Sequence, residues 1–171
     1  SPYRWWLRLV AWCDHLFSGR PLGQSVERAA LWAAPILHAL FLVGAVIFTA
    51  RQFGNFPATV LPFGLAAAFP FVGTFVAGQP NDSGLAQICG FWSVLLLLAG
   101  IRPVRQNAPG IDGQVNTKRI RKWFFLAGVV GGIGLWVNVP RELPVLVGIA
   151  LGGFFVTWLK WRNVAATEIV P

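Results

Sequence analysis

Uncharged, strongly apolar runs occupy residues 29–50, 52–81, 83–101, 123–140 and 143–159, each bounded by a charged residue or a turn. A helix needs about 20 predominantly apolar residues to cross a bilayer. The pattern therefore predicts about five membrane-embedded helical segments. Turn chemistry separates them: Arg51, Gly54, Asn55 and Pro57 follow the first, GQPNDSG (Gly78 to Gly84) follows the second, and Asn138, Pro140 and Pro144 lie between the last two. The second run carries Pro57, Pro62, Pro70, Gly64 and Gly73, which marks it as a Pro-broken crossing or a re-entrant segment. Its length favours the crossing.

The first 28 residues follow a different rhythm. Arg4, Arg8, Ala11 and His15 recur at helical spacing, while Trp5, Trp6, Leu9, Trp12, Leu16 and Phe17 fill the other side. Arg on one face and Trp on the other is the chemistry of an amphipathic helix lying at headgroup level. The predicted organisation is an interfacial segment over 1–28, one transmembrane helical domain over 29–162, and a tail over 163–171. The expected fold class is an all-α polytopic membrane protein.

Composition agrees with the pattern and narrows the function classes. The 171 residues are 56% hydrophobic and only 12% charged, with a mean hydropathy of +0.62, against roughly 25% charged residues in ordinary soluble domains. No stretch remains for a separate soluble domain. The net charge of +8 would suggest nucleic acid in a soluble chain, but Lys and Arg gather in the cytoplasmic loops of membrane proteins, so no nucleic-acid partner is expected. Cys13 and Cys89 lie far apart and form no CxxC, which leaves a disulfide or metal framework unsupported. The opening SPYRWWLRL has no small-residue cleavage site after an apolar core, so the first membrane helix is expected to act as an uncleaved signal.

Charge also orients the chain. With five crossings, Arg4, Arg8, Arg20, Arg28 and Arg141 lie on one side, and Arg51, Arg102, Arg105, Lys118, Arg119, Arg121, Lys122, Lys160 and Arg162 on the other. With a re-entrant second segment, only Arg51 and Arg141 oppose the other basic residues. Either arrangement makes the 102–122 loop and the C-terminus cytoplasmic and puts GQPNDSG outside. The expected location is a bacterial inner membrane or a thylakoid-type membrane.

Three groups of residues are candidate sites. Gly128 and Gly132 form one GxxxG, and Gly148 and Gly152 another, so a close hairpin of the last two segments is expected. Contact with a second copy or a partner helix is the alternative use of the same glycines. Lys118, Arg119, Arg121 and Lys122 precede the fourth segment and oppose its helix dipole, so anionic lipid phosphate is their expected partner. The same lipids suit Arg4 and Arg8, with Trp5, Trp6 and Trp12 at the interface. His38 stands alone among ionisable residues in the middle of an apolar run. It is expected to be neutral and hydrogen-bonded, with haem or chlorophyll ligation as a weaker use, because two-histidine ligation lacks a second intramembrane His.

Catalytic spacings such as HExxH, GxSxG and the P-loop are absent. The acidic residues Asp14, Glu27, Asp82, Asp112, Glu142 and Glu168 fall in predicted loops, tails or segment ends, so no embedded carboxylate is expected. No enzyme activity and no cofactor follow. Exclusion therefore favours a non-catalytic subunit or assembly factor of a larger membrane complex. The alternative is a small carrier or channel with its pathway at the broken second segment, and the third is a pigment protein using His38.

Overall fold

The computed structural model describes residues 2–19, 21–67, 73–78, 82–106 and 117–167. Among them every regular element is helical: α1 (Pro2–Ser18), α2 (Leu22–Phe53), α3 (Asn55–Ala67), a turn of 3-10 helix at Gly73–Phe75, α4 (Ser83–Gln106), α5 (Thr117–Val137) and α6 (Val139–Thr167). Four helical stretches are long and apolar enough to cross a membrane: Leu22–Phe53, Ser83–Arg102, Ile120–Val137 and Val139–Leu159. The chain has the build of a helical membrane protein.

α2 does not begin at residue 29. It starts at Leu22, carries Glu27 and Arg28 within its first turns, and spans about 48 Å at 1.5 Å per residue, longer than the hydrocarbon core. The extra length supports α1, which runs antiparallel beside it. Asp14 pairs with Arg28 at 3.9 Å, and the Trp6 indole donates a 2.8 Å hydrogen bond to the Ala33 carbonyl. Tyr3 and Ala11 are buried while Trp5, Leu9, Trp12 and Leu16 remain exposed. α1 therefore packs on protein through Trp6 and Ala11, and its exposed aromatic stripe is available to the bilayer.

Gly54, at φ 97°, closes α2 with its amide donating to the Ala50 carbonyl. That left-handed conformation suits glycine, and α3 turns back from it. α3 has 13 residues, about 20 Å of helix, and cannot cross alone. The chain nevertheless continues along α2. Leu65 packs in the cluster of Phe41, Phe75 stacks on His38 with ring centroids 4.5 Å apart, and a Cβ built on Gly78 would lie 3.4 Å from Leu31. As the chain advances from 65 to 78, its α2 neighbours regress from 41 to 31. The described parts of the second segment, α3 and residues 73–78, thus lie antiparallel to α2 along most of its length.

α4 then runs parallel to α2, with Phe91 edge-on to Phe41, Trp92 edge-on to Phe48, and Arg102 over the Phe53 ring. Antiparallel α5 lies along α4, as Phe124 beside Gly100 and a 3.0 Å hydrogen bond from Ser93 Oγ to the Ala127 carbonyl require. α6 returns against both. Asn138 makes the corner: its amide donates to the Gly134 carbonyl, its own carbonyl accepts from the Glu142 amide, and its side-chain oxygen accepts from the Arg141 amide as an N-cap. Pro140 sits where the missing N–H costs no helix bond. α6 stays helical through Thr167, so the expected 163–171 tail is helical for its first five residues.

Candidate functional site: a buried carboxylate between three helices

Glu142 lies in the first turn of α6 and is 1% exposed. Glu142 stands at a segment end, as expected, but its carboxyl is buried between helices rather than left at the surface. Pro140 and Pro144 read as loop markers in the sequence, but Pro140 fits the first turn of a helix whose cap is Asn138, and Pro144 lies inside that helix.

Two glycines make room for the carboxylate. A Cβ on Gly134 of α5 would lie 2.6 Å from the Glu142 Cδ, and one on Gly90 of α4 would lie 2.9 Å from Oε2. Any side chain at either position would invade the space that the carboxyl fills. Oε1 is buried with no hydrogen-bond partner among the described residues. An unpartnered polar atom away from water costs on the order of 1–3 kcal/mol, more if charged, so this group is a candidate working residue rather than a structural one.

The carboxylate borders a cleft of about 260 Å³ lined by Gln87, Gly90, Phe91 and Val94 from α4 and by Arg141, Glu142 and Val145 from α6. Its walls are apolar apart from three side chains. Gln87 is anchored from the second segment, because Thr74 beside the 3-10 turn's Phe75 donates a 2.7 Å hydrogen bond to Gln87 Oε1. At the same end Asn138 Nδ2 approaches Asp82 Oδ1 at 3.5 Å, which ties the start of α6 to the start of α4. The N-termini of α4 and α6 therefore converge on the cleft, and a carboxylate in a first helical turn is favoured by the helix dipole. Gly90 is seven residues into α4, so the carboxyl lies about 10 Å below that helix start.

The glycine pairs of the sequence reading occupy other ground. Among the described residues, nothing lies within 4 Å of the Cβ position at Gly128, Gly132, Gly148 or Gly152, so they do not form the expected close hairpin contact. Gly131 takes that part, with Leu146 at 2.9 Å and Ser93 Oγ at 3.2 Å. The GxxxG spacing selected Gly132, the second glycine of the GGIG run at 131–134, which lies on the outer face. The structure does not gather the other candidates at Glu142. Lys118, Arg121 and Lys122 are exposed in the opening turns of α5, and Arg4, Arg8, Trp5 and Trp12 are exposed on α1. His38 stacks on Phe75. The side chains of Arg119, Lys160 and Arg162, and residues 20 and 107–116, lie outside the described residues.

One sequence signal pointed to Glu142: Asn138 followed by Val-Pro, with Glu142 four positions on, is a helix start, which moves the last segment's origin from 143 to 139. Nothing in the spacing could announce that Gly90, 52 positions earlier, would face it. No family model, curated protein or solved structure matches this chain.

Proposed function

We propose that the chain is a small membrane carrier whose binding site is the cleft at Glu142. The observation that carries this reading is a fully buried carboxylate with an unpartnered oxygen bordering a cavity between α4 and α6. A coupled carrier needs an ionisable group on its pathway, and Glu142 supplies one beside the cleft. The pathway thereby moves from the broken second segment to the α4–α6 cleft, with Thr74 of that segment bracing Gln87. Carriers build their sites where interrupted helices converge; here α6 begins at the site and α4 begins about 10 Å above it.

The accompanying topology is five crossings. The second passage returns to the α1 end of α2, so the excess of basic residues at the opposite end makes that end cytoplasmic. The cleft then opens near the outer face. The test is uptake by proteoliposomes offered a panel of small amines, amino acids and monovalent cations. Uptake that Glu142→Gln abolishes supports the carrier, and uptake indifferent to that substitution refutes it.

The subunit reading keeps one specific support. Gly128, Gly132, Gly148 and Gly152 present small surfaces unused within the chain, and α6 is exposed throughout residues 150–159. Small-residue faces accept closely packed helices. Under this reading, Gly132→Leu leaves the isolated protein stable and strips co-purifying membrane subunits from it in mild detergent.

A further inference from the structure

We infer that Glu142 is a proton-loading carboxyl, which takes up and releases a proton through the cleft beside Arg141 and Gln87. The inference rests on reading this cleft as the functional site. Its basis is geometric. The carboxyl is clamped between the backbones of Gly90 and Gly134, leaving the cleft as its open side. Oε1 receives no hydrogen bond, and no ion pair joins Arg141 to Glu142 among the described residues. A charge held in apolar surroundings without a partner is relieved by neutralisation. A proton is the ligand that needs the fewest further groups, since a metal cation would require several oxygen donors, and Gln87 Oε1 is already engaged by Thr74.

The surroundings restrict what else titrates there. From α4, the free thiol of Cys89 lies within electrostatic reach of the carboxyl. From α5, Gly134 packs against the carboxyl, and the ionisable residues of that helix, Lys118, Arg119, Arg121 and Lys122, all stand in its opening turns at the opposite end. On α6 itself Arg141 lines the cleft, and Asp82 is one step removed through Asn138. His38 lies behind Phe75, which its ring stacks upon. Glu142 is the acidic group among these that borders the cavity.

The test uses dicyclohexylcarbodiimide, an apolar reagent that adds to a protonated carboxyl in a membrane environment. The full chain is reconstituted in phosphatidylcholine vesicles, treated across a range of pH, and the adduct located by mass spectrometry. The adduct is expected on the peptide containing Glu142, falling about tenfold per pH unit once the proton is lost, and absent from Glu142→Gln. An infrared carbonyl band of a protonated carboxyl, lost in the same variant, gives a second reading. The native chain alone decides the matter if the variant does not fold, because the adduct is mapped by sequence. Labelling confined to other carboxyls, or unresponsive to pH, overturns the inference. Labelling at Glu142 without solute uptake leaves the proton site standing and defeats the carrier. Glu142-dependent uptake without labelling keeps the carrier and defeats proton loading.

Discussion

Gly134→Ala tests the clamp on Glu142 directly. The added methyl would lie 2.6 Å from Cδ, 2.8 Å from Oε1 and 2.9 Å from Cγ of Glu142. Carbon atoms in favourable contact stand about 3.5–4.0 Å apart, so the carboxyl must retreat by on the order of 1 Å. Gly90 closes the far side, and only the cleft remains. Overpacking of this kind costs about 1–3 kcal/mol, while replacing glycine within a helix returns up to about 1 kcal/mol. The two effects oppose each other, so the single substitution is a poor discriminator and a double-mutant cycle is required. In a Glu142→Ala chain the vacated space accepts the methyl and only the favourable helix contribution survives. The expected coupling is therefore about 1–3 kcal/mol, read from unfolding midpoints in mild detergent titrated with dodecyl sulfate. Gly132→Ala, whose methyl meets nothing within 4 Å, is the control and should behave alike in both backgrounds. If Gly134→Ala changes stability equally with and without Glu142, to within about 0.5 kcal/mol, the clamp does not exist.

Three further outcomes are expected. In a chain freed of Cys13 and Cys89, Ala77→Cys should react with an impermeant thiol reagent from outside the cell and Arg51→Cys only after permeabilisation; reaction of both from one side would restore the re-entrant second segment. Trp6→Phe should lower stability by about 1 kcal/mol through loss of the bond to the Ala33 carbonyl, whereas Trp12→Phe on the exposed face should leave thermal unfolding unchanged; equal effects would return α1 to the lipid surface. Ser93→Ala should cost about 0.6 kcal/mol, the average for hydrogen bonds between membrane helices, in the same unfolding titration, and a stabilising result would show that the bond to Ala127 contributes nothing.

Much of the architecture was written in apolar run length. Segments one, three, four and five correspond to α2, α4, α5 and α6 because each supplies enough uninterrupted apolar residues for a crossing. The boundaries were less legible. Glu27 and Arg28 looked like the end of a surface segment, yet they are early residues of α2, and Arg28 pairs with Asp14 of α1. The break in the second segment was visible in its prolines and glycines. Its direction was not, because direction depends on Phe75 meeting His38 and Gly78 meeting Leu31, contacts set by tertiary packing. The site was nearly illegible for the same reason. Glu142 had to be placed inside a helix before its burial had any meaning, and two prolines argued against that.

The glycines separate into two populations that sequence spacing alone mixes. Gly90, Gly131 and Gly134 stand where a Cβ would meet a neighbouring side chain within 3 Å, whereas Gly128, Gly132, Gly148 and Gly152 stand in open space. The former bring α4, α5 and α6 close enough to enclose a carboxyl; the latter leave a smooth outer face on α5 and α6. A chain with one use for glycine in these helices would concentrate it on one face. Using both faces ties the two functional readings to different residues. The carrier reading depends on the inner set, where substitution must disturb Glu142, and the subunit reading depends on the outer set, where substitution must leave it untouched. A result at either face therefore bears on one reading without bearing on the other.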